Sequence, residues 1–545
     1  MNSLRPLIKD AEPPYDSTAV ADTILRSSDD IDFYVVLGLL RLVSPFFRDI
    51  FDLNRGTAVE QNEKKDGFPV IPLMDDSKTL RLLLDFFHPR VEEPQLNDVT
   101  LFWNVSKAAK KYCMDIIEGK LIARITTSKL LNEEPLRIYV IATDLEWEDV
   151  ASIAARKTLG TPLKNLTYVE ELQSVSGAVF YRFLEYRLRC DASDQPEDEQ
   201  LSVAGAQMSN LIPPSTHDAS SAVPLADGFE PFRSSSMTDL ILRSSDSIDF
   251  FVIAALIRLV SPVFNEMFPL KEHQNKDGRP VIPVQESSQV IFPLLRIVYH
   301  DMDELDTGDC QLYRDIVLAV RKYKMTSIER KLQKQITASS LILDEPLRIY
   351  ILATMLGWTD VQKVAAFNSL LQPLQGMTYI PELDLVTGAD LYRLVHFRFR
   401  CGDKACAALD EDGNFSSYGV GSWDSYRTDS RSGYYSSRSI RGLDWNLRLR
   451  ACPRGPTMTY IYSQKMEEAQ RNGFYYNFAS SFPRILKSMR DAEKLVEEAV
   501  SKVHFAFFDA KITHLRSGPS RIQLKLGLGM FSYNRSKYER RTIDA

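Results

Sequence analysis

The side chains able to do chemistry are few and widely spaced. Seven histidines stand at 88, 217, 273, 300, 396, 504 and 514, and six cysteines at 113, 190, 310, 401, 406 and 452. An enzyme needs a nucleophile beside a base, or a metal with an open position, held in one site. The local signatures that assemble such groups are absent: there is no G-x-S-x-G, no G-x4-G-K-[ST] and no H-E-x-x-H, and the Leu-Gly-Leu-Gly run at 526–529 lacks the glycine spacing that cradles a phosphate. His396, Cys401, Cys406 and Cys452 have the composition of a closed tetrahedral zinc site, three thiolates and one imidazole, but not its usual spacing. The reading is of a chain without catalytic residues, without a bound metal and without a cofactor.

Length and composition bound the alternatives. At 545 residues the chain exceeds what one hydrophobic core organises, which favours three or four domains. Hydrophobic residues make up 44% and charged residues 26%, and the longest apolar run, 33–40, is far too short to cross a bilayer, so no membrane association is expected. The first seventeen residues, rich in Pro and acidic side chains, resemble neither a secretory signal nor a transit peptide, and a cytoplasmic or nuclear address is the expectation. Six sparse cysteines then read as reduced thiols. The net charge of −7 hides a division: residues 414–545 carry 22 Lys and Arg against 12 Asp and Glu, which is +10, leaving −17 for the rest.

The elements around these residues come in two copies. Residues 22–53 lie on 239–270 without a gap, DGFPVIP (66–72) recurs as DGRPVIP (277–283), and KKYCM (110–114) as RKYKM (321–325). EPLRIYVIATDLEW (134–147) recurs as EPLRIYILATMLGW (345–358), and FYRFLEYRLRC (180–190) as LYRLVHFRFRC (391–401). Copies of this length are duplicated domains, not solenoid repeats. The duplication also bears on the chemistry. Cys401 repeats Cys190, whose copy has Glu185 in place of His396, so a packed cysteine at a helix end explains it more simply than a zinc ligand. His88 and His300 occupy equivalent helix-end positions, where an imidazole approaches terminal carbonyls.

Within a copy, TILRSSD and IDFYVV read as a hairpin turning at Asp29–Asp30. A helix follows with Leu39, Leu40 and Val43 inward, stopped at Ser44–Pro45, whose proline starts the next helical turn. PVIPL reads as a strand, the run at 80–87 as a buried helix, and 99–190 as helix upon helix. The expected class is α+β with an α-helical extension in each copy.

The pattern of strand, Asp-Phe, strand, helix and Leu-x3-Ser-Pro-x-Phe-x3-Phe resembles the core of the BTB/POZ family, and it occurs twice. Asp22, Asp32, Phe33, Leu40, Ser44, Pro45, Phe47 and Phe51 carry it first; Asp239, Asp249, Phe250, Ile257, Ser261, Pro262, Phe264 and Phe268 carry it again. The arrangement looks like the tandem BTB proteins of mushroom-type fungi, over roughly 22–401. The resemblance implies two BTB/POZ-like modules at 21–125 and 237–335, with helical extensions at 126–190 and 336–401. A flexible N-terminus (1–20), a linker (191–236), a Ser/Tyr/Arg/Gly-rich linker (402–443) and a basic, partly helical C-terminal region (444–545) complete the expected layout. Many family members carry a His-Lys pair where this chain has Val36–Leu37 and Ile253–Ala254; in repressor-type members that lysine belongs to a charged pocket for co-repressor peptides, so the pocket is not implied here.

What the resemblance implies about function is a scaffold for protein partners. BTB modules pair through the face of their first helices, and two copies joined by a linker suggest an intramolecular pseudo-dimer or, failing that, a homo-oligomer. Some members recruit a cullin scaffold through a hydrophobic-x-acidic element after the Phe-containing helix; Leu270-Lys271-Glu272 fits loosely, whereas Leu53-Asn54-Arg55 does not. In the tail, 413–441 is dominated by Ser, Tyr, Gly and Arg and reads as a disordered linker, with single-stranded nucleic acid as the alternative ligand. Beyond it, Ile485, Met489, Ala492, Val496, Ala499 and Val503 line one stripe of an expected amphipathic helix over 484–508, which suits packing on its own chain.

Overall fold

Each copy of the Arg-Ser-Ser-Asp segment makes a tight hairpin for a local reason. The computed structural model describes residues 8–53, 63–92, 94–192, 226–227, 232–233, 235–268, 274–299, 309–411, 452–454 and 494–503. In it, Ser27 Oγ accepts from the Ile31 amide at 3.0 Å and donates to the Ile31 carbonyl at 3.2 Å, so one side chain closes both sides of the turn. Ser244 does the same with Ile248. The hairpins join β2 (Thr23–Arg26) to β3 (Ile31–Val35), and β7 (Leu240–Arg243) to β8 (Ile248–Val252). The motif's aspartate then reaches a helix. Asp29 accepts from the Ser77 amide and Asp246 from the Ser288 amide, both at 2.8 Å, capping α3 (Ser77–Asp85) and α12 (Ser288–Val298) at their positive ends.

Each hairpin sits in a five-stranded mixed sheet. The orders are β1-β3-β2-β5-β4 and β6-β8-β7-β10-β9, which are the same order in the two copies. β5 (Phe68–Pro72) and β10 (Arg279–Pro283) run parallel to β2 and β7, and each is paired antiparallel with a short strand, β4 (Lys64–Lys65) or β9 (Gln274–Lys276). The loops between them are two residues long, Asp66–Gly67 and Asp277–Gly278. All four residues have positive φ, from 52° to 84°, the conformation that suits Asp-Gly in a strand-connecting turn. Ile24, Tyr34 and Val70 form a core cluster of one sheet, and Ile241, Phe251 and Val281 of the other.

The outermost strands differ from the expectation. The stretch expected as a flexible N-terminus contributes β1 (Lys9–Asp10), parallel to β3, and a core residue, Tyr15, which is 2% exposed. The stretch expected as linker up to 236 likewise contributes β6 (Ala226–Asp227), parallel to β8, and the buried Phe232. The Tyr34 amide donates to the Tyr15 carbonyl, and the Phe251 amide to the Phe232 carbonyl, at 2.9 and 3.0 Å.

Helices close each copy. α1 (Leu37–Val43) and α10 (Ala254–Val260) follow the hairpins, and α2 (Pro45–Leu53) and α11 (Pro262–Met267) start at the proline. Leu40 is buried as expected of the inner face, but Leu39 and Val43 are only half-buried. Ser44 Oγ accepts from the Phe47 amide and donates to the Tyr112 carbonyl at 2.6 Å, tying α2 to the end of α4 (Val99–Lys111). Ser261 repeats this with Phe264 and Tyr323, at the end of α13 (Cys310–Lys322). The extensions continue through α5 (Asp115–Thr127), α7 (Pro135–Asp144) and α8 (Glu148–Lys157) to α9 (Gly177–Ala192) in one copy. The other runs through α14 (Thr326–Ala338), α16 (Pro346–Leu356) and α17 (Thr359–Asn368) to α18 (Gly388–Glu411), which passes the expected boundary at 401.

An α+β class follows, in two compact units. The first comprises Met1–Ala219 together with Tyr379–Tyr392; the second comprises Ser220–Thr378 and Arg393–Ala545.

Candidate functional site

The polar residues that recur in both copies are consumed by structure. Asp22 Oδ1 accepts from the Leu37 amide, and Asp239 Oδ1 from the Ala254 amide, both at 2.6 Å. These carboxylates therefore cap the first helix of each unit. Deeper in, Asp32 is fully buried and receives Arg26 Nε at 2.7 Å and Lys65 Nζ at 2.8 Å. Burial alone would raise its carboxyl, but these hydrogen bonds and charges outweigh burial and hold it below the usual carboxylate range. Asp249, with Arg243 and Lys276, is shifted down for the same reason. Tyr112 donates to Asp75, and Tyr323 donates to Glu286 at 2.5 Å; burial first, then these bonds, push both phenols up. Each of these groups has a structural partner.

The histidines and cysteines give the same result. His88 lies just past α3 with its ring edge against Tyr15, 5.1 Å between centroids, and burial pushes its pKa down. His300 lies outside the described residues. His396 is also shifted down by burial, and the buried Cys401 thiol is pushed up to about 12 by burial. Among the described residues no group of three or more His, Cys, Asp or Glu could hold a metal ion. Sequence reasoning missed Arg187 and Arg398, which are almost fully buried in α9 and α18. Arg187 donates to the carbonyls of Thr158 and Thr161, and Arg398 to those of Ser369 and Gln372. Burial lowers Arg398 to about 10. Both arginines staple a helix end to the following helix.

Each unit also exposes large apolar side chains. Val20 and Leu42 are 81% and 76% exposed, and their counterparts Met237 and Leu259 are 79% and 81% exposed. Val20 lies two residues before Asp22, whose carboxylate caps the helix that bears Leu42; Met237 and Leu259 stand in the same relation to Asp239. Both units thus expose large apolar side chains at equivalent positions. Leu259 also borders a cleft of about 490 Å³ lined by Val260, Pro262, Arg321, Lys324, Thr326, Ser327 and Glu329. The residues of the first unit at the last five of these positions are Lys110, Cys113, Asp115, Ile116 and Glu118, so the surroundings differ while the apolar pair recurs.

The expected cullin-contact residues, Leu270 and Glu272, lie outside the described residues, as does the Ser/Tyr/Gly/Arg-rich stretch 413–441. The described part of the tail packs on its own chain. Val496, Val500 and Val503 are buried on one helical face, so Val500 joins the expected stripe while Ala499 is half-buried. The Arg454 guanidinium lies 3.9 Å from the Phe367 ring centroid and donates to Asn368 at 3.2 Å and Glu497 at 3.1 Å. No helix among the described residues is long and apolar enough to cross a membrane.

Residues 229–340 match the sequence model of the BTB/POZ domain. A BTB/POZ domain is generally a non-catalytic protein-protein interaction module. No curated protein matches the chain.

Proposed function

We propose that this chain is a non-catalytic protein-interaction scaffold whose two copies are both BTB/POZ-like modules, the matched one at 229–340 and a second in the first unit. The reading is supported by the same strand order in both sheets and by the same uses of Ser44 and Ser261, Asp22 and Asp239, and Asp32 and Asp249. The observation that carries the function is the recurring exposed pair, Val20 with Leu42 and Met237 with Leu259. Large exposed apolar side chains that recur at equivalent positions in both copies support a contact surface. Their partner is a second copy of the chain or another protein. The test is the solution mass of the full chain by sedimentation equilibrium across a hundredfold concentration range. Concentration-dependent assembly supports pairing between chains; a monomer throughout assigns the faces to pairing within the chain or to other proteins.

Two narrower readings concern the partner. A cullin-type ubiquitin-ligase scaffold would be contacted through Leu270 and Glu272, and its co-purification with the full chain tests this. Nucleic acid would be held by the +10 tail, and binding that weakens steeply with salt and disappears when the tail is removed tests that. Both suit a cytoplasmic or nuclear protein.

A further inference from the structure

Residues 379–392 belong by sequence to the second copy, yet they are part of the first compact unit. The contact they make there is reciprocal. Ser176 and Thr387 form an isolated antiparallel bridge. The Gly177 amide donates to the Val386 carbonyl, and the Gly388 amide to the Val175 carbonyl, both at 2.8 Å. By position in the two copies Val175 corresponds to Val386, Ser176 to Thr387 and Gly177 to Gly388, so each half of the contact does to the other what is done to it.

The tyrosine ring contacts around it obey the same rule. Tyr168 corresponds to Tyr379 and Tyr181 to Tyr392; the ring centroids of Tyr168 and Tyr392 are 5.6 Å apart, and those of Tyr181 and Tyr379 are 5.8 Å apart. The glycines serve close approach. A Cβ on Gly177 would lie 2.8 Å from the Leu383 carbonyl oxygen, and one on Gly388 would lie 3.1 Å from that of Leu172, and Leu172 corresponds to Leu383. Contacts in which i meets j and the counterpart of j meets the counterpart of i define an isologous surface.

We infer that the strand-like turn Leu172–Gly177, with Tyr168 and Tyr181, is a self-complementary pairing surface whose partner is another copy of the same element, met here at Leu383–Gly388 of the same chain. This surface lies in the helical extensions and uses none of the residues of the first helices that carry Leu42 and Leu259. It would pair the copies even if those faces were engaged elsewhere.

The test uses the full chain carrying Ser176→Cys and Thr387→Cys. In an antiparallel bridge of this type, flanked by the hydrogen bonds instead of making them, Cα atoms are about 4.5 Å apart, within disulfide range. Under mild oxidation the expected result is a bond between positions 176 and 387 in tryptic maps, in protein that runs as a monomer on a non-reducing gel. A bond linking two chains would overturn closure within the chain, and no bond despite accessible thiols would overturn the contact. Adding Asp384→Gln and Leu385→Ser makes the two six-residue segments identical. Self-complementarity requires the yield to stay within twofold, and a tenfold fall would show that the surface depends on the differences between the copies.

Discussion

The exposed leucines can be tested without disturbing the fold. Leu42 and Leu259 each stand one residue before the end of the first helix of a unit, at 76% and 81% exposure. Replacing both by lysine removes the apolar surface and places a cation near the helix C-terminus, where the dipole favours it. Burying a leucine side chain is worth about 1.5–3 kcal/mol. A symmetric contact through one face contains its leucine twice, so each such contact weakens by about 3–6 kcal/mol, roughly a hundredfold to ten-thousandfold in Kd. An exposed site predicts a change in folding stability within about 0.5 kcal/mol. The assay is sedimentation equilibrium of the wild-type chain and of Leu42→Lys/Leu259→Lys over the same concentrations, with thermal unfolding alongside. Assembly that survives in the double variant would refute the assignment of these faces. A large fall in stability would refute the premise that the side chains stand free.

Three further outcomes follow from the polar contacts. Ser261→Ala removes the donor to the Tyr323 carbonyl and the cap on the Phe264 amide, both buried, and should cost about 2–3 kcal/mol in urea unfolding of the full chain; an unchanged midpoint would show that the serine merely fills space. Asp29, Asp32, Asp246, Asp249 and Glu286 are all shifted down, so their stabilisation is complete above the unfolded carboxyl values and is lost as pH falls through the lower folded ones. The melting temperature should therefore be level above about pH 5 and fall below about pH 4, and a rise on acidification would contradict the sign. Arg454→Ala removes the Phe367 stacking and the bonds to Asn368 and Glu497, a loss of about 1–2 kcal/mol that should speed amide exchange in 494–503 roughly tenfold. Unaltered exchange would mean that the buried valines hold this segment alone.

The hairpins and the Ser-Pro helix start were legible because each is set within a few residues. Ser27 and Ser44 act on neighbours three or four positions away, although Ser44 and Asp29 also reach distant helices. β1 and β6 were not legible. Two-residue strands carry no alternation, and both pair through the backbone, which composition does not record. The pairing surface in the extensions stood in the sequence as Val-Ser-Gly and Val-Thr-Gly, but a glycine needed for close approach looks like any other until its neighbour is known. Arg187 and Arg398 escaped notice because nothing in an Arg-rich helix end shows which arginine turns inward.

The two copies agree at the positions that hold the fold and differ at positions around the cleft beside Leu259. Positions that hold the fold keep their chemistry: Ser44 and Ser261 bind a helix-end carbonyl, Asp22 and Asp239 cap the first helix, and Tyr112 and Tyr323 donate to a carboxylate. Beside the exposed leucines the chemistry changes. Exposed Cys113, Asp115 and Ile116 in the first unit give way to exposed Lys324, Thr326 and Ser327 in the second, exchanging an acidic and apolar border for a basic, hydroxyl-bearing one. The apolar pairs supply attraction of the same kind in both units, since burial of apolar area does not depend on direction. The borders supply discrimination, because a partner that places an acidic group beside Lys324 meets Cys113 and the like charge of Asp115 on the other unit. On the scaffold reading proposed above, two faces of similar adhesion and different electrostatic borders would discriminate between partners.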